Sequence, residues 1–190
     1  MGVDDSSQVY RPAEDTWLLI DCLSKATYRG LVVEVGSGSG VVSRFIAERG
    51  FEVLAIDISE AAARSTRLNC SQLLGRVHII VGDRLKALRP SVKIGLIASN
   101  PPYLPKENTS DTATEGGESG AEFTIDLIDE AEEFMATGAR LVLIASTLGD
   151  VEAVTRHAEA KGLDVMCLES RRLFFEEIRC YELRKILTHE

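Results

Sequence analysis

Long apolar runs are absent from this sequence. No stretch approaches the roughly 20 consecutive apolar residues that a membrane-spanning helix needs. The first residues include two acidic side chains, Asp4 and Asp5, where a secretory signal has a basic segment followed by an apolar one. We therefore predict a cytoplasmic protein without a membrane span.

Cysteine and histidine are also scarce, with four and three copies in 190 residues. The cysteines stand neither in a Cys-x-x-Cys pair nor at other metal-ligand spacings, and the histidines are scattered along the chain. The sequence thus gives no support for a metal site or for a catalytic histidine. We expect reduced thiols, with a disulfide between Cys167 and Cys180, which fall in two neighbouring predicted strands, as the alternative.

Basic residues are outnumbered, since 21 lysines and arginines stand against 30 aspartates and glutamates and leave a formal net charge of -9. Such a charge repels nucleic-acid phosphates, so tight unaided binding to DNA or RNA is disfavoured, whereas a basic protein partner is compatible with it. The length and the hydrophobic content of 45% are sufficient for a full core. We predict one domain over residues 1–190, with an N-terminal lid or helix segment over residues 1–28.

A glycine-rich turn follows the first predicted strand. The apolar run 31–35 leads into the turn 36–40, which contains Gly36, Gly38 and Gly40, and a predicted helix comes next. The following predicted strand ends at Asp57, about 20 residues after Gly36, which is the offset of an acid that binds ribose hydroxyls. Turn, strand and acid together predict a nucleoside-type cofactor.

The spacing within the turn favours one such cofactor. A dinucleotide fingerprint has the pattern G-x-G-x-x-G, but here the third glycine, Gly40, comes one position early. Glu34 precedes the turn, where a carboxylate would repel a pyrophosphate and attract a cationic amino acid. S-adenosylmethionine carries a sulfonium and an ammonium and no phosphate, so the sequence favours it over NAD.

A second motif, Asn100-Pro101-Pro102-Tyr103, follows the apolar run 94–98. The two prolines end that predicted strand, because each lacks a backbone donor. The Asn100 side-chain oxygen and the Pro101 carbonyl are two acceptors that can hold both protons of a planar NH2 group, and the Tyr103 ring can stack on that group. The motif predicts a site for an amide or an exocyclic amine; a loop that merely ends a strand is the alternative.

The rest of the chain alternates predicted strands and helices. Near the N-terminus, Pro12 begins a predicted helix with Glu14 and Asp15 in its first turn. Residues 106–120 form a long polar loop, which we expect to shape substrate entry. We expect Gly138 to end the helix that follows this loop, and we expect the last two strands to form an antiparallel hairpin.

Together, the glycine turn, Asp57, Asp83 and the Asn-Pro-Pro-Tyr motif resemble the class I S-adenosylmethionine-dependent methyltransferases. More closely, the chain resembles the HemK-type glutamine N5-methyltransferases that modify release factors. Residues 9–16 and 33–43 are similar to the short archaeal and eukaryotic branch, which lacks the N-terminal helical domain of the bacterial proteins.

The resemblance implies a fold and a set of site residues. The fold is α/β, a doubly wound, Rossmann-like seven-stranded sheet of order 3-2-1-4-5-7-6 with the last strand antiparallel. The implied catalytic residues are Asn100, Pro101, Pro102 and Tyr103, with Asn100 also touching the cofactor. Arg84 is implied to contact the cofactor through its backbone only. The other implied contacts to S-adenosylmethionine are Thr16, Glu34, Gly36, Gly38, Asp57 and Asp83.

The resemblance also implies a substrate and a partner. The substrate would be the glutamine of the Gly-Gly-Gln motif in a class I release factor, and a small zinc-binding activator protein would cover an apolar sheet edge. Three alternatives stay open at this point. They are an adenine-N6 methyltransferase acting on DNA or RNA, an NAD-binding oxidoreductase, and a cofactor-binding subunit without catalysis of its own.

Overall fold

A seven-stranded sheet organises the chain in the computed structural model, which describes residues 9–27, 29–106 and 114–185. The strand order is β3-β2-β1-β4-β5-β7-β6, and β7 is antiparallel to both of its neighbours while the other pairings are parallel. This confirms the expected fold. The strands are Leu31–Val35 (β1), Val53–Asp57 (β2), Val77–Val81 (β3), Ile94–Ser99 (β4), Met135–Ser146 (β5), Leu163–Arg172 (β6) and Glu177–Lys185 (β7).

Helices cover both faces of the sheet. Apolar residues of α1 and α2 join one buried cluster, and those of α4 and α5 join a second cluster on the other face. The central strands are therefore largely apolar, as expected of buried parallel strands, and Glu34 of β1 is a buried exception. No helix in the described part of the chain is long and apolar enough to cross a membrane. The helices are Glu14–Lys25 (α1), Val41–Glu48 (α2), Glu60–Asn69 (α3), Glu122–Phe134 (α4) and Val151–Ala160 (α5).

The connection between α4 and β5 differs from the prediction. Helix α4 ends at Phe134, and β5 begins at once with Met135, so the expectation that Gly138 ends the helix is wrong. Met135 pairs with Ile94, and the next paired residue of β5 is Arg140, opposite Leu96. Gly138 lies in the bulge between these two pairs, with φ of 77°. Met135 is buried and pairs within the sheet three residues before Gly138, so the strand begins before the glycine and the glycine occupies the bulge instead.

The terminal hairpin forms as predicted, and its register decides whether Cys167 and Cys180 face each other. Its register places Cys167 opposite Tyr181, and Cys180 opposite Glu169, with a bulge between these pairs. The two cysteines are therefore not cross-strand partners, and all four cysteines, which lie in the described ranges, are free. The expected reduced thiols are confirmed and the alternative disulfide is wrong.

Candidate active site

The two predicted motifs meet at one edge of the sheet. Strands β1 and β4 are parallel neighbours, and their last residues, Val35 and Ser99, are paired. The Ser99 hydroxyl donates a 2.9 Å hydrogen bond to the Val35 carbonyl. The glycine turn and Asn100 follow these two residues directly, at the point where the strand order reverses. In open α/β sheets this is the edge that binds ligands.

The glycine turn is shaped by its neighbours. The backbone has positive φ at Gly36, Gly38 and Gly40, and a Cβ on Gly40 would lie 2.7 Å from the Cα of Thr66. The Gly38 amide donates to the Asp57 carboxylate over 2.8 Å, so the structure brings the acid against the turn as its offset predicts. A Cβ on Gly36 would meet nothing within 4 Å, which leaves that side of the turn open to a ligand.

Glu34 is almost fully buried at the end of β1, with 3% of its surface exposed. Its carboxylate accepts a hydrogen bond from the Ser43 hydroxyl of α2. Burial raises the pKa of Glu34 to about 8, the hydrogen bonds from Ser43 oppose this rise, and the Asp57 charge adds to it. A cation beside Glu34 would lower this pKa and favour the ionised carboxylate. That Glu34 attracts the cationic amino-acid part of the cofactor stays a prediction.

Asp83 and Arg84 follow β3 at the same edge. The Asp83 carboxylate is partly exposed and pairs with Lys86 over 2.6 Å. Arg84 is the one non-glycine residue in the described ranges with positive φ, at 47°. Its guanidinium pairs with Glu130 over 2.9 Å and with Asp126 over 3.2 Å, both on α4. The side chain of Arg84 is thus engaged by α4, which leaves its backbone available to a cofactor.

Asn100 presents an unused acceptor. Its side-chain oxygen is buried and has no hydrogen-bond partner among residues 9–27, 29–106 and 114–185. Leaving a buried acceptor unpaired costs about 1–3 kcal/mol, so an incoming N–H donor would relieve this cost. Because the oxygen is shielded in this conformation, a ligand must shift the amide or its surroundings to reach it.

The backbone of Pro102 and Tyr103 is held by three glycines from other segments. A Cβ on Gly116 would lie 2.5 Å from the Pro102 carbonyl oxygen, and a Cβ on Gly149 would lie 2.6 Å from that of Tyr103. A Cβ on Gly120 would also collide with the Tyr103 oxygen. A larger residue at any of these positions would displace the motif.

A buried carboxylate joins the N-terminal segment to the motif. Asp15, only 4% exposed, accepts hydrogen bonds from the hydroxyls of Tyr10 over 2.8 Å and of Tyr103 over 3.1 Å. We call these three residues the tyrosine–aspartate cluster. Burial, and then the Asp15 charge, raise the pKa of both phenols, so both stay protonated donors. Thr16, also buried, bonds through its hydroxyl to Asp15 over 3.3 Å.

Comparison with known proteins identifies the family. The family model described as the methyltransferase small domain matches residues 11–160. The chain is 32% identical to human methyltransferase HEMK2, over 94% of this chain and 91% of that protein. It is therefore a HemK-type member of the methyltransferase small domain family.

Two further proteins are similar to this methyltransferase. The release factor glutamine methyltransferase of Bacillus subtilis is 36% identical over 42% of this chain and 29% of that protein. The solved Mtq2–Trm112 complex of E. cuniculi, described as responsible for methylation of the eRF1 translation termination factor, superposes with a TM-score of 0.77. That alignment has 23% identity and covers 94% of this chain and 99% of the solved one, which shows that the fold is shared.

As a methyltransferase of this family, the protein uses S-adenosylmethionine as its methyl donor. The residues present fit this group. The turn at Gly36 is open, and Asp57 and Asp83 stand at the ends of neighbouring strands on the same edge. In the described residues, no three histidine, cysteine, aspartate or glutamate side chains are grouped so that they could hold a metal ion.

Sequence reasoning missed the partners that hold the acceptor motif. Asp15 is an acid in the first turn of α1, as predicted, but its hydrogen bond from Tyr103 joins residues 88 positions apart and has no local signal in the sequence. The loop 106–120 is described only in part, since residues 107–113 lie outside the described ranges. On either side of them, the Leu104 amide donates to the Thr114 carbonyl over 3.0 Å, so the loop leaves and re-enters beside the motif.

Proposed function

We propose that this methyltransferase transfers a methyl group to the side-chain amide nitrogen of the glutamine in the Gly-Gly-Gln motif of a translation release factor. The observation that carries the proposal is the buried, unpaired side-chain oxygen of Asn100, which follows the strand next to the glycine turn. The names of the Bacillus subtilis and E. cuniculi proteins support this choice of substrate. Such a substrate would place the protein in the cytoplasm.

On the acceptor side, Asn100 and the Pro101 carbonyl would accept the two N–H protons of the glutamine amide. An amide nitrogen is a poor nucleophile, because its lone pair is delocalised into the carbonyl. Holding both protons favours a pyramidal nitrogen and turns its lone pair toward the donor, which is positioning plus electrostatic stabilisation without a strong base. As the N–CH3 bond forms, the S–CH3 bond of the sulfonium would break, and one of the two N–H protons would leave to water, because a methylated amide nitrogen that still carries both protons is strongly acidic. Tyr103 would stack on the amide, and Pro102 would keep the turn rigid.

On the donor side, bound S-adenosylmethionine supplies an electrophilic methyl group carried by a sulfonium. Asp57 would bind the ribose hydroxyls and Asp83 the adenine amino group, while Arg84 would contribute backbone contacts only, in keeping with its pairing to α4. The remaining proposed cofactor contacts are Thr16, Glu34, Gly36, Gly38 and Asn100.

The N-terminal segment, residues 1–28, would act as a lid within a chain that works as one domain over residues 1–190. The Tyr10 carbonyl lies 4.0 Å from the place of a Cβ on Gly38, so the described part of this segment passes beside the glycine turn. Through the tyrosine–aspartate cluster the same segment touches the acceptor motif. A segment in contact with both halves of the site is suited to close over them.

A small zinc-binding activator protein would cover the β3 edge of the sheet. In the described part of the chain, β3 pairs on one side only, with β2. Exposed apolar side chains are found in the elements around this edge, as expected for a surface that a partner covers. These side chains are Ile58, Leu68, Leu74 and Val81.

The test is a methyl-transfer assay with labelled S-adenosylmethionine and purified release factor, with and without the activator, read by mass spectrometry of the Gly-Gly-Gln peptide. We expect one methyl group on the glutamine, and none on a release factor in which that glutamine is replaced by alanine. Oligonucleotides serve as the competing substrate. Transfer to adenine alone would establish the adenine-N6 alternative and contradict the proposal.

A further inference from the structure

Two aromatic side chains stand in solvent at the turn between β6 and β7. Phe174 is 91% exposed and Phe175 is 84% exposed, and their rings are edge-to-face with centroids 4.6 Å apart. The turn is closed by a 2.8 Å hydrogen bond from the Leu173 amide to the Glu176 carbonyl, so the two phenylalanines are its central residues. We call this pair the hairpin tip.

The stability of the hairpin does not explain these residues. Two-residue turns favour glycine, asparagine and aspartate, whose backbones adopt the required conformations easily. An exposed phenylalanine also gains little from the hydrophobic effect, because that effect depends on apolar area removed from water. Two adjacent rings held almost fully in solvent indicate a surface that another molecule covers.

The hairpin tip lies at the same edge of the sheet as the active site. Ile178 of β7 pairs with Ser146, the last residue of β5, and β5 is the neighbour of β4. Two strand spacings therefore separate Asn100 from β7, which is about 10 Å. Glu176, next to the tip, accepts a hydrogen bond from the Ser146 hydroxyl, and its charge contributes to the raised pKa of Tyr103.

The base of the hairpin is fixed in place. Arg171 of β6 pairs with Glu14 over 2.8 Å and with Asp21 over 3.0 Å, both on α1. On the other strand, the Thr147 amide donates to the Glu177 carbonyl over 3.0 Å. Aromatic residues on a rigid support lose little conformational freedom when they bind, and they are frequent among the residues that dominate binding energy.

We infer that Phe174 and Phe175 dock the folded protein substrate, by entering an apolar pocket on its surface beside the loop that carries the target glutamine. This inference rests on the proposed function. It extends substrate recognition beyond the NH2 group that Asn100 and Pro101 would hold, to a second contact about 10 Å along the same edge.

Charge and position favour the substrate over other occupants. With a net charge of -9, a second copy of the chain would bring like charges together, and an anionic membrane surface would be repelled. The β3 edge, where we place the activator, is at the opposite end of the sheet from β6. A protein that presents its glutamine to Asn100 has its surface next to the hairpin tip.

The test compares an intact release factor with a short peptide that contains only the Gly-Gly-Gln segment. We expect the double variant Phe174→Ser, Phe175→Ser to lower kcat/KM for the intact protein by roughly tenfold or more, mainly through KM. For the peptide, which is too short to reach the tip, kcat/KM should stay unchanged. Met166→Ser, which removes another exposed apolar residue of β6, is the matched control and should affect neither substrate. Thermal unfolding checks that each variant is folded.

Three results would overturn this inference. An unchanged kcat/KM for the intact release factor would show that the tip does not contact it. An equal loss with the peptide would assign the tip to the reaction itself. A dimer of the unaltered chain that the double variant abolishes, with transfer unaffected, would assign the tip to a second copy. Failure of the unaltered enzyme to methylate a release factor would instead overturn the proposed function, and the docking role with it.

Discussion

The glycine turn keeps its shape through contacts to the next strand and helix, whereas the Asn-Pro-Pro-Tyr motif depends on α1, on the loop that follows the motif and on the turn before α5. Gly38 bonds to Asp57, 19 positions away. Tyr103 is held by Asp15, 88 positions away, and by the glycines at 120 and 149. The donor half of the site is thus a local unit, and the acceptor half is assembled by the tertiary fold. Damage to the two halves should therefore have different kinetic consequences.

The largest expected effect comes from Asn100→Ala. Loss of the acceptor that holds the substrate amide should lower kcat by about 10²–10³-fold, the range seen when one polar group that stabilises a transition state is removed. S-adenosylmethionine affinity, measured by calorimetry, should largely persist, because most proposed cofactor contacts lie in the donor half. Transfer at near the unaltered rate would contradict the proposed mechanism.

Gly149→Ala tests whether the acceptor motif depends on its distant supports. The added Cβ would lie 2.6 Å from the Tyr103 carbonyl oxygen and must displace the motif. A shift of about 1 Å at a reacting group can cost about 100-fold, so we expect kcat to fall by 10- to 100-fold with cofactor affinity preserved. Gly75→Ala is the matched control, since its Cβ would meet nothing within 4 Å. Equal behaviour of the two variants would show that the motif does not need this support.

Asp15→Asn should have a smaller effect. Both phenols donate to one carboxylate oxygen of Asp15 and the Thr16 amide donates to the other, so the NH2 of an asparagine must replace one of these two acceptors. Leaving buried donors without an acceptor costs about 1–3 kcal/mol of stability. We expect kcat to fall about tenfold if Tyr103 loses its position, with little change in cofactor affinity. Tyr10→Phe and Tyr103→Phe, measured beside it, separate the two bonds. A loss of stability with unchanged kcat would limit the tyrosine–aspartate cluster to a structural role.

The last prediction concerns Glu34, in the donor half, and how the free energy of unfolding depends on pH. Its pKa is about 8 in the folded protein and 4.5 as the ordinary value, so between these values the folded state binds more protons than the unfolded state. Stability should therefore fall as pH rises through this window, by at most about 1.4 kcal/mol per pH unit from this group. In Glu34→Gln that contribution is lost, and denaturant unfolding across pH should show a flatter profile. Identical profiles would mean that Glu34 titrates normally.

Local chemistry accounts for what was predictable from the sequence. Apolar runs located the parallel strands, and glycine spacing with the acid at Asp57 indicated the cofactor class, because these signals act over a few residues or one strand–helix unit. The strand order came from resemblance to a family. Gly138 was misassigned because the same residue type ends helices and permits bulges.

By itself, the sequence determined the elements, the glycine turn, the abrupt end of β4 at two prolines and the deficit of basic charge. Only the tertiary structure decided that Asp15 contacts Tyr103 and that Gly116, Gly120 and Gly149 surround the acceptor motif. It also decided that the hairpin tip lies at the same edge of the sheet as Asn100. The reason is physical. Turn and strand preferences depend on neighbours along the chain, whereas these contacts depend on how helices and loops far apart in sequence pack against one sheet.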